Sequence, residues 1–140
     1  MRLELPADKK LIHSTTIAIR WGDMDAYGHV NNAVYFRYME SARIALLEHL
    51  GCGLSGHGGT AVVANAFCNF LRQLDYPGDV LVRTYVGAVG RSSFDTYHEM
   101  LRAGDETVHA NGGATVVWAD LGAQRAVPLP AGLRERLGSH

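Results

Sequence analysis

Residues 21–43 read WGDMDAYGHVNNAVYFRYMESAR, and this stretch decides the fold of the chain. It begins with an acidic segment that contains Asp23 and Asp25, turns at a glycine, and reaches two adjacent asparagines, Asn31 and Asn32. Asparagine is favoured at the N-cap of a helix because its side chain accepts a hydrogen bond from a free backbone N–H group. The stretch therefore predicts an acidic loop that leads directly into a helix.

The predicted helix extends from the asparagine pair to about Leu50, and Gly51 follows where glycine commonly ends a helix. Apolar side chains recur along it at three- and four-residue steps and occupy far more than one stripe of its surface. We therefore expect other parts of the structure to surround this helix. The apolar positions include Val34, Tyr35, Phe36, Tyr38, Met39, Ala42, Ile44, Ala45, Leu46 and Leu47.

Period-two alternation predicts strands on both sides of the helix. One strand precedes it, and four follow it with only short turns between them. Consecutive strands with short connections pair antiparallel, so we predict an α+β fold in which a curved, antiparallel, five-stranded sheet wraps around one long central helix. The strands are predicted over residues 11–21, 60–74, 80–89, 94–101 and 106–120, with a loop over residues 51–59 and a short surface helix within residues 128–137.

The chain of 140 residues is 47% apolar and 19% charged, which is typical of one globular domain, residues 1–140. A net charge of −1 without a basic tract argues against nucleic-acid binding. No segment resembles a signal peptide or a membrane span, so no membrane contact is expected. Cys52 and Cys68 show no pairing pattern, which favours a reducing compartment, and we expect a cytoplasmic protein.

The position of Asp25, a few residues before the helix, indicates a chemical role. A carboxylate can act as a base or a nucleophile, and the free N–H groups at a helix start can stabilise an anion. Together these groups suit acyl transfer through an oxyanion. Acidic residues also precede helices for structural reasons, by interacting with the helix dipole, so both roles stay open for Asp25. Asp23 is interpreted as a structural turn or salt-bridge residue.

Several motifs together carry a family resemblance. The run Asp23-x-Asp25-x-x-Gly28-His29-Val30-Asn31-Asn32-x-x-Tyr35, followed by Glu40 and Arg43, is long and specific. Shorter segments accompany it: Tyr76-Pro-Gly-Asp79, Gly90-Arg91-Ser92-Ser93-Phe94, and Asp120 followed by Pro128-Leu-Pro130. In these segments the chain resembles the hotdog-fold acyl-CoA thioesterases of the 4-hydroxybenzoyl-CoA thioesterase-like family.

The resemblance implies an enzyme that hydrolyses an acyl-CoA thioester to a carboxylic acid and CoA. Asp25 would hold the catalytic position as base or nucleophile, and the backbone N–H of Asn32 would polarise the thioester carbonyl. It also implies a homodimer, often paired into a homotetramer, with active sites at the subunit interface. The segment over residues 90–94 would lie near the CoA portion of the substrate.

Other candidate residues keep two interpretations each. His29 would hydrogen-bond substrate or water, or fix the loop, and Tyr35 would line the pocket or belong to the core. Arg91, Ser92 and Ser93 suit phosphate contact because guanidinium and hydroxyl groups bind phosphate, but a solvated turn explains them equally well. Arg72, Arg83 and Arg102 are looser candidates of the same kind.

Glu40 is a second candidate base, because some hotdog thioesterases carry the base on the helix. Ion pairing with Arg37 and Arg43, three residues away on either side, explains it as well. The histidines show no ligand spacing with a third ligand, so we expect neither a metal nor a cofactor. The pair of asparagines before the helix, where benzoyl-specific members carry aromatic residues, favours an aliphatic substrate.

Two other functions remain open at this point. One is a hotdog enoyl-CoA hydratase or dehydratase, in which Asp25 and His29 would act as the acid–base pair. The other is a non-catalytic module that binds acyl-CoA without turnover.

Overall fold

The structure is a computed structural model that describes residues 1–53 and 58–138. It contains two helices, of which the first, α1, directly follows the acidic loop. The helices are α1 (Asn32–His49) and α2 (Ala131–Gly138), and the strands are β1 (Lys10–Ala18), β2 (Thr60–Phe70), β3 (Asp79–Val89), β4 (Ser93–Arg102), β5 (Val108–Asp120) and β6 (Arg125–Ala126). Residues 54–57 of the predicted loop lie outside the described part of the chain.

The strands form one antiparallel sheet in the order β1-β3-β4-β5-β2. The two-residue strand β6 pairs with the end of β5, which adds a short sixth strand to the predicted five. One face of this sheet packs against α1. The predicted α+β architecture of a five-stranded antiparallel sheet against one long helix is therefore confirmed.

The helix buries one face, along which the buried residues are spaced three or four apart: Tyr35, Tyr38, Met39, Ala42 and Leu46. Its opposite face is open in the single chain, where Phe36 and Ile44 keep 38% and 37% of their surface exposed. The expectation that the helix is surrounded is therefore not met by one chain. The exposed apolar residues make this face of α1 a surface on which another molecule could pack.

Three element boundaries differ from the sequence prediction. β1 ends at Ala18, and Trp21 begins a 3₁₀ turn in which its side chain is 74% exposed. β2 ends at Phe70 rather than at residue 74. The predicted surface helix, α2, is instead anchored in the core, because Leu133 and Leu137 are completely buried in a cluster that includes Leu46 of α1 and Val86 of β3. In the described part of the chain, no helix is long and apolar enough to cross a membrane.

Candidate active site

The loop before α1 is held by the buried carboxylate of Asp23. Its Oδ2 accepts a hydrogen bond from the backbone N–H of Arg20 at 2.9 Å and another from the Tyr38 hydroxyl at 2.8 Å. The Asp23 carbonyl oxygen accepts the N–H of Asn31 at 2.9 Å. One residue therefore ties the beginning of the loop to its end and to the helix, as the structural interpretation of Asp23 predicts.

Asp25 lies at the exposed tip of this loop. Its N–H donates to the carbonyl of His29 at 3.0 Å, and its own carbonyl accepts the N–H of Gly28 at the same distance. Gly28 has a φ of 78°, a left-handed conformation that glycine adopts without the steric penalty of a Cβ atom. The Asp25 Oδ1 atom accepts the N–H of Tyr27 at 2.9 Å, so this turn also orients the carboxylate.

The helix begins as the asparagine pair predicts. Asn31 is the N-cap residue, and its side-chain oxygen accepts the N–H of Ala33 at 2.9 Å. Asn32 is the first helical residue, and an N–H in that position has no intrahelical acceptor. The N–H of Asn32 is therefore a donor available to a ligand at the positive end of the helix dipole.

The loop tip and the helix start line one cavity of about 450 Å³, which we call the loop cavity. It brings together four of the predicted site residues, Asp25, His29, Asn32 and Tyr35. The remaining lining residues are Tyr27, Val30, Asn31 and residues 70–73. A carboxylate and a free helix-terminal N–H thus face the same space, and this volume lies within the usual range for ligand pockets.

Tyr35 and His29 differ in how their polar atoms are used. The Tyr35 hydroxyl accepts the N–H of Leu74 at 3.3 Å, its ring stands edge-on to the ring of Phe70, and burial raises the pKa of its hydroxyl. Tyr35 is therefore both a core residue and a wall of the cavity. His29 has a buried Nδ1 atom with no hydrogen-bond partner among the described residues, which leaves that atom open to a ligand.

Comparison with known proteins identifies the family. The model of a family described as the thioesterase-like superfamily matches residues 19–137, which is most of the chain. The chain belongs to this superfamily. The family resemblance carried by the loop motif is thereby confirmed, and the chain is placed among enzymes that hydrolyse thioesters.

The relatives of this thioesterase include both curated and solved proteins. The long-chain acyl-CoA thioesterase FadM of Escherichia coli is 29% identical over 125 residues, which cover 88% of this chain and 95% of FadM. The match to another curated bacterial protein covers 59% of this chain and 56% of that protein. The PA2801 protein of Pseudomonas aeruginosa is 37% identical, with a TM-score of 0.85 over 89% of this chain and 97% of that structure.

A thioesterase from Thermus thermophilus, whose structure was solved with coenzyme A and Zn, is 33% identical with a TM-score of 0.78. The likeness covers 92% of this chain and 94% of that one. These structural relatives confirm the hotdog fold predicted from the sequence.

The other predicted residues of this thioesterase lie away from the loop cavity. Arg91 and Ser92 lie in the connection between β3 and β4, Ser93 is the first residue of β4, and the Ser92 carbonyl accepts the N–H of Trp118. None of the three lines the loop cavity of the same chain. Arg72, which sequence reasoning treated as a looser candidate, does line it. The sequence carried no signal for this placement, because Arg72 reaches the start of α1 only through the tertiary position of the loop after β2.

Glu40 lines a second cavity, of about 340 Å³, which we call the helix cavity. It lies along the C-terminal half of α1, where Glu40, Arg43, Ile44 and Leu47 form one side. In the described part of the chain Glu40 forms no ion pair within 4 Å, so the predicted pairing with neighbouring arginines is not observed. No cluster of three or more metal-ligating side chains occurs among the residues that the structure describes.

Proposed function

We propose that this protein is an acyl-CoA thioesterase in which Asp25 and the N–H of Asn32 act on the same thioester. The observation that carries the proposal is that both groups line the loop cavity, one on each side of the acidic turn. The acyl-CoA specificity named for FadM and the coenzyme A bound in the Thermus relative support the substrate class.

The proposed chemistry follows from these two groups. Acting as a base, Asp25 takes a proton from water while the water oxygen attacks the thioester carbon. Acting as a nucleophile, it attacks that carbon itself and forms an anhydride that water then opens. Both routes place negative charge on the carbonyl oxygen. In the base route the C–S bond then breaks, and Asp25 returns its proton to the CoA sulfur. In the nucleophile route the C–S bond breaks as the anhydride forms, the CoA sulfur takes a proton from water, and hydrolysis of the anhydride then releases the acid and restores Asp25.

The N–H of Asn32 would stabilise the oxyanion without any side-chain movement, because the helix holds it in place. Loss of one preorganised donor of this kind typically raises the barrier by about 3 kcal/mol. His29, with its unpartnered Nδ1, would hold substrate or water in the same cavity. Arg72 is the cation that would contact an anionic part of CoA at this cavity. Arg91, Ser92 and Ser93 of the neighbouring subunit would contact a phosphate group of the same CoA.

We also propose a homodimer, with pairing into a tetramer as a further step, in a cytoplasmic protein. β2 supports the dimer because it is an edge strand of eleven residues without a single charge or proline. Proteins often block such edges with charges or prolines, since an open edge pairs readily with another strand. Val63 on β2 is 42% exposed, and it lines the helix cavity together with Ile44 of α1.

The test of the function is turnover of acyl-CoA with detection of the free thiol. Asp25→Asn should lower kcat by at least a hundredfold while acyl-CoA still binds, because the change removes the charge and keeps the shape. Asp79→Asn, the same substitution at an exposed position of β3, is the matched control and should turn over normally. Wild-type rates for Asp25→Asn, with activity lost instead in Glu40→Gln, would contradict the assignment.

The same assay distinguishes a thioesterase from a hydratase. The hydratase is a second candidate because Asp25 and His29 both line the loop cavity. A hydratase would consume an α,β-unsaturated acyl-CoA, with loss of its absorbance and no release of thiol. A binding module would retain acyl-CoA without either change.

A further inference from the structure

Arg72 lies on a short segment without regular secondary structure that forms one wall of the loop cavity. This segment, residues 71–73, follows β2 directly, and we call it the Arg72 segment. Arg72 and Gln73 are exposed, so packing of their side chains does not fix their positions. The place of the Arg72 cation therefore depends on the groups that bind the backbone of the segment.

His109 on β5 binds this backbone on both sides of Arg72. Its carbonyl oxygen accepts the N–H of Leu71 at 3.0 Å and the N–H of Arg72 at 2.9 Å. The Nδ1 atom of its ring lies 3.3 Å from the carbonyl oxygen of Gln73. One residue of the sheet thus holds the beginning and the end of the Arg72 segment.

The chain just after the segment is held separately, by the acidic loop and α1. The Leu74 carbonyl accepts the N–H of Val30 at 2.8 Å, and the Leu74 N–H donates to the Tyr35 hydroxyl at 3.3 Å. Leu74 is completely buried in the core. These contacts fix the chain beyond the segment, so the His109 ring adds the side-chain contact that holds the segment itself.

Both nitrogens of the His109 ring face hydrogen-bond acceptors. Nδ1 faces the Gln73 carbonyl oxygen, and Nε2 lies 3.2 Å from Oδ2 of Asp105. A neutral imidazole has one N–H and one lone pair, so it donates at only one nitrogen, whereas an imidazolium donates at both. A carbonyl oxygen never donates, and a carboxyl group donates only when it is protonated.

Asp105 is an ionised carboxylate. Its Oδ1 accepts the N–H of Thr107 at 2.8 Å, and this hydrogen bond, followed by the one to His109, lowers the pKa of Asp105 to about 2. Asp105 therefore has no proton to share with the ring at neutral pH. The two contacts of the ring form together only when His109 is an imidazolium, and the residue is buried, so water does not readily replace either acceptor.

The other charged groups near the ring have partners elsewhere or are exposed. Asp105 is the one ion-pair partner of the ring within 4 Å in the described part of the chain. Asp75 pairs with Arg102 at 2.6 Å, the Glu99 carboxylate accepts a hydroxyl from β3, and Glu106 is exposed. The charge of the ring therefore depends chiefly on Asp105. The charged side chains on the elements around the ring are Glu99 and Arg102 of β4, Asp105 and Glu106 of the following turn, and Arg72 and Asp75 of the chain after β2.

We propose that His109 is a positioning residue, which as an imidazolium between Asp105 and the Gln73 carbonyl holds Arg72 where it contacts an anionic part of CoA. This inference rests on the proposed function, in which Arg72 contacts CoA. When the ring loses its proton, one of its two contacts becomes a contact between lone pairs, and the Arg72 segment is held less firmly. The reacting groups belong to the acidic loop and α1, so the pH dependence falls on the binding of acyl-CoA rather than on the chemical step.

The first experiment replaces the Asp105 carboxylate by an amide of the same shape. In Asp105→Asn the amide oxygen still accepts the Thr107 N–H, and the amide nitrogen takes the place of Oδ2 and donates to Nε2 of His109. A neutral ring with its proton on Nδ1 then satisfies both contacts. The wild-type KM for acyl-CoA should rise about fivefold between pH 6 and pH 8.5, because histidine loses its charge in this range, whereas the KM of Asp105→Asn should stay constant.

Glu106→Gln is the matched control for this experiment. It removes the neighbouring exposed carboxylate, which forms no ion pair with the ring, and should keep the wild-type pH dependence. A wild-type KM that does not change with pH, or an equal rise in the wild type and in Asp105→Asn, would overturn the proposal.

The second experiment asks whether His109 acts through Arg72. His109→Gln should raise KM about tenfold at pH 6.5 with kcat nearly unchanged, because binding is lost and the reacting groups stay in place. Arg72→Ala should raise KM as well, and the double variant should show the KM of Arg72→Ala alone, since His109 then has no cation to position. Two independent effects that multiply in the double variant, or a loss confined to kcat, would contradict the positioning role.

The third measurement does not depend on hydrolysis. Long-range ¹H–¹⁵N NMR of histidine rings distinguishes an imidazolium from the two neutral tautomers, and the signal missing from His109→Gln assigns the ring. At pH 7 His109 should be an imidazolium in the wild type and a neutral ring protonated at Nδ1 in Asp105→Asn. A neutral wild-type ring in a protein that hydrolyses acyl-CoA would overturn this inference alone. An imidazolium in a protein that releases no thiol from acyl-CoA would overturn the proposed function and leave the His109 contacts standing.

Discussion

Asp23 and Asp25 are two residues apart and have opposite environments. Asp23 keeps 7% of its surface exposed and accepts hydrogen bonds from Arg20 and Tyr38, whereas Asp25 is exposed at the loop tip. The backbone explains the difference, because Asp23 ends a 3₁₀ turn beside α1, whereas Asp25 begins the turn that reverses the chain at Gly28. One carboxylate therefore holds the loop, and the other lines the loop cavity, where we propose that it reacts.

Tyr38 tests the holding role of Asp23. Tyr38→Phe removes the hydroxyl that donates to this carboxylate and leaves a buried oxygen short of a partner, which should lower the free energy of unfolding by about 1–3 kcal/mol. Urea unfolding at pH 7 measures the change. Tyr27→Phe, at an exposed position of the same loop, is the control and should unfold like the wild type.

Tyr38→Phe also tests whether Asp23 matters for catalysis. If Asp23 positions the loop that carries Asp25, Tyr38→Phe should lower kcat more than it raises KM under conditions where the protein is folded. Equal effects on the stability of Tyr38→Phe and Tyr27→Phe would contradict the holding role.

His98 gives the protein a pH-dependent stability. It is completely buried on β4, with its Nδ1 atom 3.1 Å from the Thr84 hydroxyl oxygen, and burial together with the nearby Arg43 cation lowers its pKa to about 3. The unfolded chain takes up a proton below a pKa of about 6.5, whereas the folded chain does not do so until about 3. The contribution of His98 to stability is therefore fully present above about pH 6.5 and is lost as the pH falls toward 3.

The expected loss from this one group is about 2 kcal/mol between pH 7 and pH 5. His98→Gln should flatten the dependence of the unfolding free energy on pH over this interval, even if the variant is less stable at pH 7. Urea unfolding of both proteins at pH 7, 6 and 5 measures the slopes. Identical slopes would show that His98 titrates normally in the folded protein.

At the scale of elements, Gly112 on β5 lies close to both the neighbouring strand and α1. A Cβ atom added to Gly112 on β5 would collide with the Phe67 carbonyl of β2 and would come within 2.9 Å of the Met39 sulfur of α1. Glycine at this position lets the helix lie directly on the sheet.

Gly112→Ala should therefore destabilise the fold by several kcal/mol, because a backbone atom cannot move aside cheaply. Gly132→Ala, on α2, has open space around the added methyl group and should stabilise the protein by about 1 kcal/mol. The two thermal unfolding midpoints should thus move in opposite directions. A neutral Gly112→Ala would mean that α1 and the sheet are less closely packed than described.

At the scale of the whole molecule, one chain leaves two apolar surfaces uncovered, the face of α1 around Phe36 and Ile44 and the edge of β2. The two surfaces are continuous across the helix cavity, which both elements line. A second copy paired on β2 would cover both surfaces.

Ala64→Glu tests this assembly. The substitution places a carboxylate near the middle of β2, so two like charges would face each other across a two-fold axis and weaken the dimer. Sedimentation velocity should show a shift toward monomer at micromolar concentration. Leu11→Glu introduces the same charge on β1, the other edge of the sheet, and should leave the mass unchanged. A monomeric wild type, or a dimer that resists Ala64→Glu and yields to Leu11→Glu, would contradict a β2 interface.

The sequence alone determined the elements whose signals are local. The asparagine pair placed the start of α1 to within one residue, period-two alternation located the five main strands, and the loop motif identified the family. Two expectations failed where periodicity carried no signal. The Asp23 carboxylate accepts the N–H of Arg20 in a 3₁₀ turn that follows β1, and Leu133 and Leu137 of α2 are buried in the core.

Only the tertiary structure decided which residues share a cavity. Asp25 and Asn32 are close in sequence, so their meeting was predictable, but Arg72 joins them because β2 ends beside the helix start. Glu40, on the same helix as Asn32, faces a different cavity, since a helix separates residues along its axis as well as around it. The environment of an element depends on what packs against it, and periodicity could not show that α1 keeps one apolar face open in the single chain.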